Sequence, residues 1–281
     1  MLKKNDVVDI VIEDLTVEGA GIGRYNGLTV FVPKALPGER VSAKIIKTAK
    51  NYAVGRLDTI KQVSEQRTEP FCGVFNQCGG CTLQHMAYAA QLAFKRKRVM
   101  DCFSRIGGMD ADVAPVLGME NPWEYRNKAA YPVRRGPEGE IAIGFFAARS
   151  HRVADIQNCG IQHPVAGRVV DAVRHWMEDE GIVPYDELDG TGIIRHLMVR
   201  VGYGTGEVQV TVVINGEGLP ASENLVKALR DAAPGLVSVV QNSNTRRDNV
   251  IMGDRNVVLW GREWIEDILD GLRFRVGPVS F

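Results

Sequence analysis

The chain has 281 residues, 45% of them hydrophobic and 24% charged, and its 34 basic side chains balance 34 acidic ones. That length allows two domains, each with a core of its own, while the zero net charge excludes a global pull toward nucleic acid, so any basic surface must be local. The opening MLKKNDVVDIVIEDL breaks its apolar residues with acids, and no run approaches the roughly 18 apolar residues of a membrane helix; this excludes a signal peptide and a transmembrane span, and the chain reads as a cytoplasmic protein with reduced thiols.

Residues 1–62 read as an all-β, OB-like barrel. Alternating or β-branched runs predict strands at 7–12, 28–32, 39–45 and 53–57, separated by glycine- and proline-containing turns. The run Gly19-Ala20-Gly21-Ile22-Gly23 looks like a nucleotide fingerprint, but no helix follows it, and a glycine-rich hairpin turn is the better reading.

Residues 62–84 are irregular and hold three cysteines. The stretch 85–106 then has helical periodicity, with Leu92, Val99, Phe103 and Ile106 on one face, and Gly107-Gly108 ends it. Beyond residue 125 strands are predicted at 126–134, 141–149, 195–202, 207–214, 236–241, 250–252, 256–260 and 272–276, with helices at 163–180 and 220–233. Glycine turns between neighbouring strands predict an α/β domain whose sheet is largely antiparallel.

Cys72, Cys78 and Cys81 stand as C-x(5)-C-x(2)-C. Tetrahedral zinc could take these three with His85 as the fourth ligand. An iron–sulfur cluster prefers four thiolates, the fourth coming from Cys102 or Cys159. Cys102 lies within the predicted helix and reads as a packed residue, whereas Cys159 sits in a turn-like stretch. Spacing alone leaves both metals open.

The block Cys78-Gly79-Gly80-Cys81-Thr82-Leu83-Gln84-His85 after Cys72, with a lone Cys159 far downstream, resembles the RumA-type RNA (uracil-5-)-methyltransferases. Tyr125-Arg126-Asn127-Lys128-Ala129, Ile143-Gly144-Phe145-Phe146, Arg149-Ser150-His151, Arg195-His196-Leu197 and Gln241-Asn242-x-Asn244 extend the likeness along the chain. The resemblance implies a 4Fe–4S cluster on Cys72, Cys78, Cys81 and Cys159. It implies a TRAM barrel over 1–62, an iron–sulfur central domain over 63–85 and 109–276, and a helix at 86–108 that packs on a catalytic domain. It also implies methyl transfer from S-adenosylmethionine to carbon 5 of a uridine in 23S rRNA, with transfer RNA as the other candidate. No obligate protein partner is evident.

That reaction needs a cysteine nucleophile and a cofactor-binding domain. No cysteine here matches the nucleophile, and no glycine-rich strand–loop–helix is in view. The segment 277–281 resembles the entry to the methyltransferase domain. The sequence is therefore expected to be an N-terminal portion in which the Rossmann-like methyltransferase domain is absent, with no catalytic and no cofactor-binding residue of its own and S-adenosylmethionine bound only by the complete protein. Among the basic clusters, Arg126, Lys128, Arg149 and Arg152 are the expected RNA contacts. The rival readings are a non-catalytic RNA-binding module and a zinc-stabilised adaptor.

Overall fold

A computed structural model describes residues 2–280. Met1 and Phe281, which end the predicted 1–62 barrel and the predicted 277–281 segment, lie outside the described residues. The chain divides into two compact units, one running up to Phe75 with Cys81–Glu120 added, the other formed by Asn76–Gly80 and the residues from Asn121 onward.

The first unit is a closed five-stranded barrel, in order β1 (Val7–Leu15), β2 (Ala20–Tyr25), β3 (Leu28–Pro33), β5 (Tyr52–Gln62) and β4 (Arg40–Thr48). Period-two alternation sends Val8, Ile10 and Ile12 inward with Val30, Val32, Val41, Ala43, Ile45 and Ala53. The predicted glycine turn is in fact strand β2. A Cβ on Gly23 would lie 2.3 Å from Ile10 Cγ2 and 2.4 Å from the Val11 carbonyl oxygen, so closing the barrel demands glycine where a strand pattern would show a side chain. Outside the barrel, Glu39 is fully buried and accepts from Arg67 Nε at 2.5 Å and from the Leu36 amide at 2.8 Å.

Helix α1 (Tyr88–Asp101) runs into a π-helical turn, Cys102–Ile106. Its only buried residue is Phe94, packed with Leu15, Leu36 and Met86. The predicted apolar face is not the buried one, since Val99, Phe103 and Ile106 are all exposed. Polar anchors set the rotation instead: Lys97 Nζ reaches Asp14 at 3.0 Å, and Arg96 Nε donates to the Val113 carbonyl at 2.7 Å.

The second unit is built on a seven-stranded sheet containing β6 (Lys128–Arg135), β7 (Ile141–Phe146), β8 (Val153–Asp155), β9 (Ile194–Val201), β10 (Val208–Ile214), β11 (Leu236–Ser243) and β12 (Arg255–Gly261). Its order is β12-β11-β10-β9-β6-β7-β8. A separate hairpin pairs β13 (Ile265–Leu269) with β14 (Leu272–Val276). The predicted strand at 250–252 does not form, and β8 and β13 were not legible as strands.

Helix α2 (Pro164–Asp179) starts with Pro164 in its first turn and the His163 ring accepting from the Val165 amide at 3.2 Å. It buries Val165, Val169, Val173, Trp176 and Met177 in the same core as Tyr131, Leu197 and Val210. Helix α3 (Ser222–Ala232) adds Leu225 and Leu229. It also links β10 to β11, which pair in parallel, while the other pairings in this sheet are antiparallel. A parallel neighbour needs such a crossover, because a tight turn can only reverse the chain. No helix among the described residues is long and apolar enough to cross a membrane.

Candidate functional site

The second unit carries a cleft of about 730 Å³, within the usual range of small-ligand sites. Three segments wall it: the end of β6 with Arg134 and Arg135, the β7–β8 turn with His151 and Arg152, and the loop 183–191. Arg134 pairs with Glu187, whose other oxygen lies 3.0 Å from His151 Nδ1. The Arg134 guanidinium also lies over the Phe146 ring, 5.7 Å from its centroid. Burial opposes ionisation of Glu187, but the Arg134 charge and the hydrogen bonds from His151 and Arg134 outweigh it and hold the carboxyl below the usual range.

Behind the cleft, Arg195 lies over Tyr185 at 4.4 Å and donates to the carbonyls of Asn244 and Arg246 at 2.8 and 2.6 Å. Burial, then the charges of Arg134 and Arg195, push His196 down to about 3, so it is neutral near pH 7 and no candidate for proton transfer there. The Gln241, Asn242 and Asn244 side chains are loop clamps. Gln241 accepts from the Leu219 amide at 3.0 Å, Asn242 donates to the Gly253 carbonyl at 2.9 Å, and Asn244 donates to the Val250 carbonyl at 2.7 Å.

The four expected RNA contacts fall into two groups. Lys128 opens β6 and Arg126 stands two residues before it; six residues at about 3.3 Å each place Lys128 about 20 Å from the Arg134 end. Burial and the Arg200 charge lower the Lys128 pKa. Arg149 and Arg152 share the β7–β8 turn, where Arg149 adopts φ 58° and both are exposed. Only Arg152 lines the cleft. Glu187, the hub joining Arg134 and His151, carried no sequence signal, being 53 and 36 residues away from them in a loop without a motif.

Cys72 and Cys81 belong to the first unit, Cys78 and Cys159 to the second. Gly79 presses on the β7–β8 turn: its amide donates to the Phe146 carbonyl at 2.9 Å, and a Cβ there would lie 2.8 Å from that oxygen. The Gly80 amide donates to Cys78 Sγ at 3.2 Å. Burial and the charge of Cys159 together raise the Tyr131 hydroxyl above its ordinary range. The donor chemistry suits an iron–sulfur cluster, with four half-buried thiols and none in a disulfide. Among the described residues no group of three or more His, Cys, Asp or Glu is gathered where it could hold a metal ion. The same holds for the zinc set with His85, which is buried against Phe75 with neither ring nitrogen hydrogen-bonded. Burial first, then the Arg67 charge, push His85 down to about 4. No chemistry is routed through a metal here.

Residues 2–57 match the TRAM domain. The chain is 46% identical over 281 residues to a protein of Halalkalibacterium halodurans named an uncharacterized RNA methyltransferase, covering 100% of this chain and 61% of that one. A similarly named protein of Listeria monocytogenes is 43% identical, covering all of this chain and 62% of the relative. The chain thus spans less than two thirds of the length of these curated relatives. Among solved structures it resembles the Pyrococcus abyssi tRNA (uracil-54, C5)-methyltransferase in complex with S-adenosyl-L-homocysteine, at a TM-score of 0.74 and 25% identity, over 97% of this chain and 60% of that one.

This likeness corrects the expectation that a Rossmann-like methyltransferase domain is absent. Barrel and α/β unit together resemble that uracil-C5 methyltransferase over 97% of this chain, and the sheet contains one parallel β10–α3–β11 crossover, formed by the second and third strands from the β12 rim. No glycine fingerprint marks that crossover, which is why a motif search passes over it. In the cleft described above Arg134, Arg135 and Arg152 stand with the carboxylates of Asp186, Glu187 and Asp189, and none of these residues is assigned to S-adenosylmethionine.

Proposed function

We propose that this chain serves in the methylation of RNA at carbon 5 of uridine, with S-adenosylmethionine as methyl donor and 23S rRNA as substrate. The observation that carries the reading is the likeness along the whole chain to RNA methyltransferases, joined to a TRAM barrel at its start. Carbon 5 of uracil is a poor nucleophile. A thiolate adding to carbon 6 makes the enolate that takes the methyl group, after which a base removes the carbon 5 proton and the thiolate leaves. None of the five cysteines is assigned to that step. Arg126, Lys128, Arg149 and Arg152 are proposed to hold the RNA phosphates.

The test is incubation of the protein, expressed from its whole reading frame, with methyl-labelled S-adenosylmethionine and either 23S rRNA or transfer RNA. Label is expected in 5-methyluridine of the 23S rRNA. Label confined to transfer RNA would replace the substrate, and RNA binding without label would favour the binding-module reading.

The cysteine spacing supports a second proposal, that Cys72, Cys78, Cys81 and Cys159 ligate a 4Fe–4S cluster. Anaerobically purified protein is expected to hold about four iron and four sulfide per chain. Cys159→Ala should lose them and Cys102→Ala, altering an exposed residue of the π-helical turn, should keep them. A colourless protein with one zinc per chain would instead support the adaptor reading.

A further inference from the structure

Three arginines, Arg134, Arg135 and Arg152, share the cleft with three carboxylates, Asp186, Glu187 and Asp189, so its formal charge balances, but the partners are unevenly distributed. Arg134 is committed to Glu187, and Glu187 to Arg134 and His151. Asp186 turns inward to accept from the Leu188 amide at 2.8 Å, and Asp189 accepts from the Thr191 amide and hydroxyl, each at 2.7 Å. Arg135 and Arg152 also line the cleft, and among the described residues neither guanidinium has a hydrogen-bond or ion-pair partner. Two forked, uncommitted donors thus face a recess whose remaining wall is apolar: Pro137, Val153, Val183 and Leu188.

A guanidinium fork matches a phosphate, and an apolar recess beside it accepts a flat ring. We propose that this cleft receives one unstacked nucleotide of single-stranded RNA, its phosphate on Arg135 and Arg152 and its base in the recess toward Val183 and Leu188. Duplex RNA is not the occupant, because its bases are paired and stacked and it offers only its backbone and groove edges. The nucleotide held here is not the one that reacts. The cleft lining contains no thiol, and its one imidazole is tied to Glu187. The cleft is a positioning site that reads an unpaired base near the target. It rests on the reading of this chain as an RNA-methylating protein.

The test measures affinity by fluorescence anisotropy for a uridine-containing single strand and for a blunt RNA duplex of equal length. The full chain is compared with the double variant Arg135→Gln/Arg152→Gln and with Arg273→Gln, which removes an exposed charge from β14. The double variant is expected to bind the single strand about tenfold more weakly. Its log-affinity against log-salt slope should fall by about 1.4, two contacts at about 0.7 each. Duplex binding and the Arg273→Gln chain should stay within about twofold of the unaltered chain, within the usual scatter of a lost surface charge. Unchanged single-strand affinity in the double variant overturns the cleft proposal while leaving the RNA reading in place. Equal weakening on both RNAs also overturns it, showing phosphate contact without a base in the recess. Failure of the unaltered chain to bind either RNA overturns the RNA reading itself, and this proposal with it.

Discussion

Arg67→Ala is expected to destabilise the first unit by about 3–5 kcal/mol, the typical cost of stripping a buried ion of its partner. Glu39 is fully buried. Its two oxygens take Arg67 Nε at 2.5 Å and Nη2 at 3.0 Å, and Nη2 also donates to the Lys34 carbonyl at 2.8 Å. Without Arg67 the carboxylate keeps only backbone donors such as the Leu36 amide. The effect should depend on pH in a definite direction. Burial alone would raise the Glu39 pKa, but the Arg67 and Leu36 hydrogen bonds and the Arg67 charge outweigh it, leaving it below the ordinary value of 4.5. A depressed folded pKa contributes stability above the unfolded value and loses it as pH falls through the folded one. In the variant that carboxyl is pushed up instead, so the gap between the two proteins should narrow in acid. Urea unfolding followed by far-UV circular dichroism, near neutral pH and again below the carboxylate range, reads this out. A gap that stays constant with pH would mean that Arg67 acts by packing alone.

Gly144→Ala is expected to cost the second unit about 3 kcal/mol or more. A Cβ at this position lies 1.9 Å from the Ala154 carbonyl oxygen and 2.9 Å from its carbon. Backbone cannot rotate out of the way as a side chain can, so β8 must leave its register with β7, where Gly144 faces Asp155. Asp155 Oδ1 also accepts from the Ile143 amide at 2.8 Å and from Arg174 at 2.8 Å, and those bonds would go with it. The turn carrying His151 and Arg152 would then lose its footing. Gly139→Ala is the natural control. It has open space around it but φ 92°, so only the strain of a left-handed L residue applies, about 1–2 kcal/mol. Trp123, Trp176, Trp260 and Trp264 all lie in this unit, so tryptophan fluorescence during urea titration follows it directly. Equal costs for the two variants would show that β8 is not pinned by contact at Gly144.

Much of the strand and helix pattern was legible because burial follows period. The alternation of residues 7–12 gives β1, and the aliphatic-rich β9 and β10, though interrupted by Arg195, His196, Arg200, Gln209 and Thr211, are strands buried along their whole length. Three features were hidden for physical reasons. Strand β2 is written partly in glycine, since Gly21 and Gly23 stand where barrel closure leaves no room for a Cβ. The rotation of α1 is set by Lys97 and Arg96 reaching distant acceptors, which periodicity does not record. The parallel pairing of β10 with β11 depends on the α3 crossover rather than on any composition of the strands. At the cleft, the arginines could be seen as a basic cluster, but Glu187 decides which of them are engaged, and only the fold brings it there.

The two rims of the seven-stranded sheet are unlike. The β8 rim is three residues long, so it offers little for another strand to pair with. The β12 rim runs for seven residues, Arg255–Gly261, with Val258 exposed and Val257, Leu259 and Trp260 only partly covered. Its ends carry Arg255, paired with Glu217, and Arg262, paired with Glu207. A long apolar rim of unpaired amides and carbonyls is a template on which foreign backbone can grow, and charges at its ends are the usual deterrent. Aggregation of this chain under stress would therefore begin along β12, and removing the guanidinium at either end would lower the threshold for it.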